Sequence, residues 1–320
     1  MLPISVIIPT LNRANYLRRS LLSVINQEGV DFEIIIVDDF SQDDSYDRIS
    51  DLLDDRIRYV RLEASIGAAQ ARNVGAAQAR GKYLAFQDSD DVWLPGKLIA
   101  QFQALEAGKP NEVLNFCSHQ RVIGTDQVTI PSKATQQKSG DIFEELLKEN
   151  FISTQTILVR RQIFEEIGGF DPMLPRYQDW DIALRLSAKY NVQFLPAVFA
   201  IVYDTPGNLT SRTDNHLQSK LSVISKWRKD PRFEKSLLAF HLYFLALEAF
   251  DKGFFLQARE LSLESATLSP KKPEAGYYSP NHRYFRSVSY SRRFANEPSL
   301  LSGISHHTKI MTAYWCLILN

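Results

Sequence analysis

Residues 87–91 read QDSDD and follow the apolar run KYLAF. Asp88 and Asp90 are two apart, so on an extended segment both carboxylates face the same way. Two carboxylates so placed offer hard oxygen ligands to Mg2+ or Mn2+, a cation that would relieve their mutual repulsion and also bind a diphosphate. Asp and Ser are equally common in turns and at helix N-caps, and Asp91 ahead of VWLPGKL suits that role. Upstream, VIIPTLNR carries Pro9, Thr10, Asn12 and Arg13, and IIIVDDFSQDDS carries Asp38 and Asp39. These two stretches favour a ligand over a turn for Asp88, Ser89 and Asp90.

The elements that must position these groups alternate strand and helix. Residues 4–9, 33–39, 57–62 and 82–88 read as strands, and 16–27, 43–53 and 68–79 as helices. Strands that are apolar throughout and separated by helices imply a mostly parallel α/β sheet covered on both faces. Ligands of such sheets bind beyond the carboxyl ends of the strands, where the polar groups above collect. Farther on, 95–107 reads as helix, 113–123 and 155–160 as strands, 178–190 as an amphipathic helix and 192–203 as a strand. The turn-rich 204–214 ends a first domain at about residue 205, and a helical region occupies 206–320. Within that region, Gly253, Ala258 and Pro270 stand at spacings like those of one tetratricopeptide unit. A lone copy is weak evidence for a repeat, and a simple packing hairpin describes it better.

Composition narrows the function. Lys+Arg and Asp+Glu both total 37, which removes the basic excess expected of a nucleic-acid binder. Cys117 and Cys316 lie in apolar surroundings and read as reduced buried thiols. MLPISVIIP enters the first strand almost at once, and the longest apolar run, 310–319, is about half a membrane span. A cytoplasmic chain is expected, with peripheral membrane contact left open. The arginines and aromatics of HRYFRSVSYSRR (282–293) read first as a solvated tail, and otherwise suit an anionic surface or a phosphate.

No G-x-G-x-x-G or G-x-x-x-x-G-K-[ST] device is present. GAAQARNVG (67–75) instead reads as a closely packed helix, with Arg72 and Asn73 left to reach a ligand. Asp179 in QDWD opens a helix whose dipole favours its carboxylate form, and simple capping would explain it as well. Asp181 is the second candidate for a base. Trp180 could stack on a ligand's ring or pack. His119, His216, His241, His282, His306 and His307 form no ligand spacing.

SVIIPTLNRANYLRRSLLSVINQ, EIIIVDDFSQDDS, GAAQARNVGAAQARGKYLAFQDSDDVWLPGKL and GGFDPMLPRYQDWDIALRL resemble the family 2 glycosyltransferases over residues 3 to about 205. The resemblance implies a GT-A fold and an inverting, nucleotide-sugar-dependent transferase. It implies that Pro9, Thr10, Asn12, Arg13, Arg72, Asp88 and Ser89 line the nucleotide site and that Asp39 bonds the base, usually uracil. It further implies Asp90 as direct metal ligand, with Asp88 nearer the ribose or the metal's waters, and Asp179 as catalytic base. A UDP-sugar donor and a glycan or lipid-linked acceptor follow from it, with Mn2+ or Mg2+ as cofactor. Gln178 replaces the usual Glu of the family's E-D pair, and YDTPGNLT lacks the Arg and His of its last loop. A sugar-phosphate nucleotidyltransferase and a non-catalytic scaffold are the alternatives. PTLNRANY has no glycine, which counts against the former.

Overall fold

The computed structural model describes residues 2–205 and 216–269. Two compact units are present, Met1–Val223 and Ile224–Asn320. The 282–293 segment, the apolar run 310–319, Cys316 and Pro270 lie outside the described residues.

The first unit is built on strands β1 (Ile4–Thr10), β2 (Phe32–Asp38), β3 (Ile57–Arg61) and β4 (Tyr83–Phe86), all parallel in the order β3-β2-β1-β4. Every residue of β1, β2 and β4 is buried, as expected of parallel strands covered on both faces. The register sets Thr10 beside Asp38 and Asp38 beside Arg61, so the strands end on one rim. α1 (Leu17–Ile25) lays Leu17, Leu21 and Val24 on the sheet. α2 (Ala68–Ala77) approaches so closely that a Cβ on Gly75 would lie 2.6 Å from Ile7 Cγ2. That closeness is what its small residues allow.

Beyond β4 the sheet becomes mixed. β5 (Val92–Trp93), α3 (Lys97–Ala107), β6 (Glu112–Ile123), β7 (Asp126–Ile130), α4 (Phe143–Lys148), β8 (Ile157–Arg160), α5 (Arg161–Glu166), α6 (Gln178–Ser187) and β9 (Asn191–Tyr203) complete it. β8 runs antiparallel to both β4 and β6, and β6 pairs parallel with β9. β5 pairs antiparallel with β9, and β7 with β6. β6 and β7 form a hairpin around Gly124, whose φ of 62° suits a two-residue loop. β3 lies at one end of the sheet.

The helix expected over 43–53 does not form. A short 3-10 turn, Ser50–Leu52, is all that appears. Asp43 accepts hydrogen bonds from the Ala14 and Ser45 amides, so its side chain captures backbone donors and competes with a helix.

In the second unit, α8 (Lys235–Asp251) and α9 (Phe255–Leu268) form a helix hairpin. Gly253, at φ 79°, closes α8 in a left-handed cap, with its N–H on Phe250 O and the Phe254 N–H on Ala249 O. Buried Ala246, Ala249 and Ala258 let the two helices approach, and Ser265 Oγ donates to Ala239 O. α7 (His216–Trp227) contributes His216–Val223 to the first unit.

Candidate active site

Two loops at the carboxyl ends of β1 and β2 are stitched into one rim. The Asn12 N–H donates to Ser41 Oγ at 2.9 Å, the Gln42 N–H to Asn12 Oδ1 at 2.7 Å, and the Arg13 N–H to Ser45 Oγ at 2.9 Å. Asn12 adopts φ 52°, a left-handed conformation that Asn tolerates. Pro9 and Thr10 are buried beneath this rim, and Thr10 Oγ1 is a buried hydroxyl without a protein partner. Asp39 is held by the next loop. Its carboxylate accepts from Ser65 Oγ, the Ile66 N–H and the Gly67 N–H at 2.7–3.0 Å.

The third strand end presents the acids. Asp88 accepts from Arg72 Nη2 at 2.5 Å, and Arg72 Nη1 donates to Gln178 Oε1 at 2.6 Å. A guanidinium that is only 5% exposed therefore ties the end of β4 to the first residue of α6. Asp90 accepts from Thr205 Oγ1, and Arg13 lies 3.7 Å away. Burial raises the Asp90 pKa, the Asp88 charge adds to the rise, and Thr205 and Arg13 oppose it. Ser89 is buried between the two acids. Arg19 steadies the segment by donating to Asp90 O at 2.7 Å while its guanidinium lies over the Tyr203 ring.

Asp179 stands in the first turn of α6. Its Oδ1 accepts the Trp180 N–H at 2.8 Å. The residue keeps part of its surface open, yet its carboxyl sits deep, and burial pushes its pKa up to about 6. The Asp88 charge adds to that rise, while the Trp180 amide, Arg72 and an Asn150 hydrogen bond oppose it. A carboxylate so poised is ionised at neutral pH and still basic enough to take a proton. Tyr177, at φ 60°, leads into the helix, and its hydroxyl lies 2.5 Å from His216 Nε2.

The sequence matches the family model "Glycosyl transferase family 2" over residues 5–168. The chain belongs to glycosyltransferase family 2. It is 36% identical over 179 residues to an uncharacterised glycosyltransferase of Nostoc sp., a match covering 53% of this chain and 54% of that one. It thus spans about half the length of that relative. Among solved structures it is similar to S. aureus TarS 1–349 in complex with UDP-GlcNAc, with TM-score 0.65 and 17% identity over 82% of this chain and 79% of that one. It is also similar to the mannosyltransferase PcManGT of Pyrobaculum calidifontis in complex with GDP-Man and Mn2+. There the TM-score is 0.59 and the identity 16%, over 100% of this chain and 86% of that one. The fold is GT-A, as the motifs predict.

Other acids and polar groups of this family 2 chain hold structure together. Asp91, 3% exposed, accepts from Gln155 Nε2 and the Tyr203 N–H, which fixes the end of β9 rather than capping a helix. Asp181 is fully buried, its Oδ2 accepting from Arg185 Nε at 2.8 Å with Nη2 2.7 Å away, and the guanidinium also donates to Ile167 O and Gly169 O. That pairing withdraws it as a base. Trp180 packs, 3% exposed, with Nε1 donating to Leu146 O. Asn73 does not reach toward a ligand, because its amide clamps the Phe170 backbone at both N and O.

Thr205 and the Ser41–Asp43–Ser45 latch were not singled out from the sequence, although the S-x-D-x-S spacing is legible in it. Leu11, Phe40 and Ile66 are exposed apolar side chains beside Thr10 and Asp39. Large apolar residues in strand-end loops were the available signal. Among the described residues, no cluster of three or more His, Cys, Asp or Glu could hold a metal unaided.

Proposed function

We propose that this chain transfers a sugar from a nucleoside diphosphate sugar, a UDP-sugar foremost, to an acceptor hydroxyl on a glycan or lipid-linked saccharide, with inversion at the anomeric carbon. The observation that carries the reading is the convergence of Asp88, Asp90 and Asp179 from two separate elements, joined through Arg72 and Gln178. Ligands of the neighbouring structures, UDP-GlcNAc in one and GDP-Man with Mn2+ in the other, support it.

Asp88 and Asp90 fit a divalent cation of the Mg2+ or Mn2+ class. Both are oxygen donors on one segment, and their number suits an ion that takes its remaining ligands from substrate phosphates and water. Such an ion, when bound, supplies Lewis-acid stabilisation of charge on the leaving diphosphate. Thr205 and Arg13 hold the Asp90 carboxylate in place for this. Pro9, Thr10, Asn12, Arg13, Arg72 and Ser89 line the nucleotide side. Asp39 positions the 65–67 loop and offers its carboxylate to the base, with Leu11, Phe40 and Ile66 as apolar flanks. Asp179 takes the proton from the acceptor hydroxyl as that oxygen attacks the anomeric carbon and the nucleoside diphosphate leaves from the opposite face. Direct displacement needs no covalent sugar intermediate. The chemistry is assigned to the domain of residues 1–205.

Product analysis tests the reading. Proton NMR of the first glycoside formed from an α-linked donor is expected to show a β anomer and release of a nucleoside diphosphate. A retained α linkage would overturn the displacement, and pyrophosphate release would favour the nucleotidyltransferase alternative.

A further inference from the structure

Asp179 is flanked on two sides by contacts from one helix that carries no site motif. α7 starts at His216, and its residues up to Val223 belong to the first unit. His216 and Lys220 are four apart, so they share one face of that helix. His216 Nε2 lies 2.5 Å from the hydroxyl of Tyr177, two residues before Asp179. Lys220 is buried, and its charge opposes the rise that burial gives the Glu149 pKa. The next residue, Asn150, hydrogen-bonds the Asp179 carboxyl. One face of α7 thus reaches both segments that flank the acid.

The backbone at Tyr177 singles out the more telling of these contacts. Tyr177 adopts φ 60° and ψ 26°, a left-handed conformation uncommon for a bulky aromatic residue. Such strain persists only where surrounding contacts over-determine it, and it clusters at functional sites. Here the Tyr177 ring meets His216 and Trp180 edge-on, with centroids 5.4 Å and 5.7 Å away. Trp180 is itself fixed, because its Nε1 donates to Leu146 O in α4. Tyr177 is the residue from which α6 starts, so its conformation sets the helix direction and with it where Asp179, the second helical residue, points. A tyrosine hydroxyl can donate to a neutral imidazole or accept from a charged one, so the link to His216 holds in either state.

We propose that Tyr177 and His216 form a positioning pair for Asp179, through which α7 holds the carboxyl at the angle that proton removal requires. This role rests on Asp179 being the base, and Asp179→Asn is the control that separates the two.

Nucleoside diphosphate release by the full chain is measured with Mn2+ and the UDP-sugar that the wild type turns over fastest. Tyr177→Phe keeps the ring and loses the hydroxyl, and its kcat should fall about tenfold or more at unchanged donor KM. His216→Leu should match it, whereas His216→Gln, whose amide can still meet the hydroxyl, should keep most of kcat. The double variant Tyr177→Phe/His216→Leu should be no worse than either single change. Wild-type kcat in Tyr177→Phe, with Asp179→Asn inactive, would overturn the positioning role alone. Turnover unaffected by Asp179→Asn would overturn the base assignment and the pair's role with it. Melting supplies a readout free of turnover. Removing the buried charge by Asp179→Asn should raise the melting temperature at pH 8, and that gain should shrink by about half or more in the Tyr177→Phe background, where the carboxyl can turn toward water. Additive shifts would make Tyr177 a packing residue only and contradict the proposal.

Discussion

In the proposed role of base, Asp179 would combine two demands that pull against each other. A base must be ionised near neutral pH, yet burial and the Asp88 charge raise its pKa to about 6. A carboxyl with a raised native pKa holds its proton more tightly when folded than when unfolded, so its ionisation costs stability as pH rises. Little of that cost is present at or below about pH 4, and all of it is present above about pH 6. Asp179→Asn should therefore raise the melting temperature at pH 8, by on the order of 1–3 kcal/mol of stability, and the gain should disappear toward pH 4. Calorimetry at the two pH values checks this, and a destabilised variant at pH 8 would contradict it. Thr205 makes a second residue-scale case. Thr205→Val should raise the donor KM several-fold by freeing the Asp90 carboxylate, and Thr205→Ser should restore it. Equal KM values for the two variants would remove Thr205 from the site. The pairing of Asp181 with Arg185 illustrates why residue roles are hard to read from sequence. Two acids two apart in QDWD look alike until the helix turns one toward the site and the other into a buried ion pair.

At the scale of elements, the strands were legible because burial on both faces leaves little choice of residue. ISVIIP and EIIIVD have no polar face to misread, and β9 follows its predicted span closely. The segment 43–53 was misread because Asp and Ser side chains offered the backbone a local alternative to a helix. The antiparallel entry of β8 between β4 and β6 was not legible, since pairing direction leaves no mark in a short apolar run. Close helix and strand approaches are encoded more plainly, by glycine. A Cβ on Gly81 would lie 2.5 Å from the backbone N of Ser5, and neither backbone can move aside without breaking the sheet. Gly81→Ala should cost about 2–4 kcal/mol in urea unfolding, with loss of soluble protein as the extreme outcome. An unchanged midpoint would show that the β1–β4 junction yields more easily than its packing implies.

For the whole molecule, one rim gathers groups from four stretches distant in sequence: 9–13, 38–45, 88–91 and 178–179. The first three were placed together by the rule that ligands sit beyond parallel strand ends. The fourth was placed by family resemblance, because nothing in QDWD alone reveals that Arg72 reaches Gln178 across 106 residues of chain. α8 and α9 were legible as helices but not as a surface, since the exposure of Phe254 and Leu256 depends on which face α8 covers. The account as a whole depends on acids from two elements acting in one transfer, Asp88 and Asp90 on the donor's side and Asp179 on the acceptor hydroxyl. Its most direct measurement is nucleoside diphosphate release from UDP-sugars with Mn2+, in the same assay for wild type, Asp90→Asn and Asp179→Asn. Turnover should fall at least about 100-fold in both variants, while Asp179→Asn still gains melting temperature on adding UDP and Mn2+. Wild-type release by either variant would contradict the account.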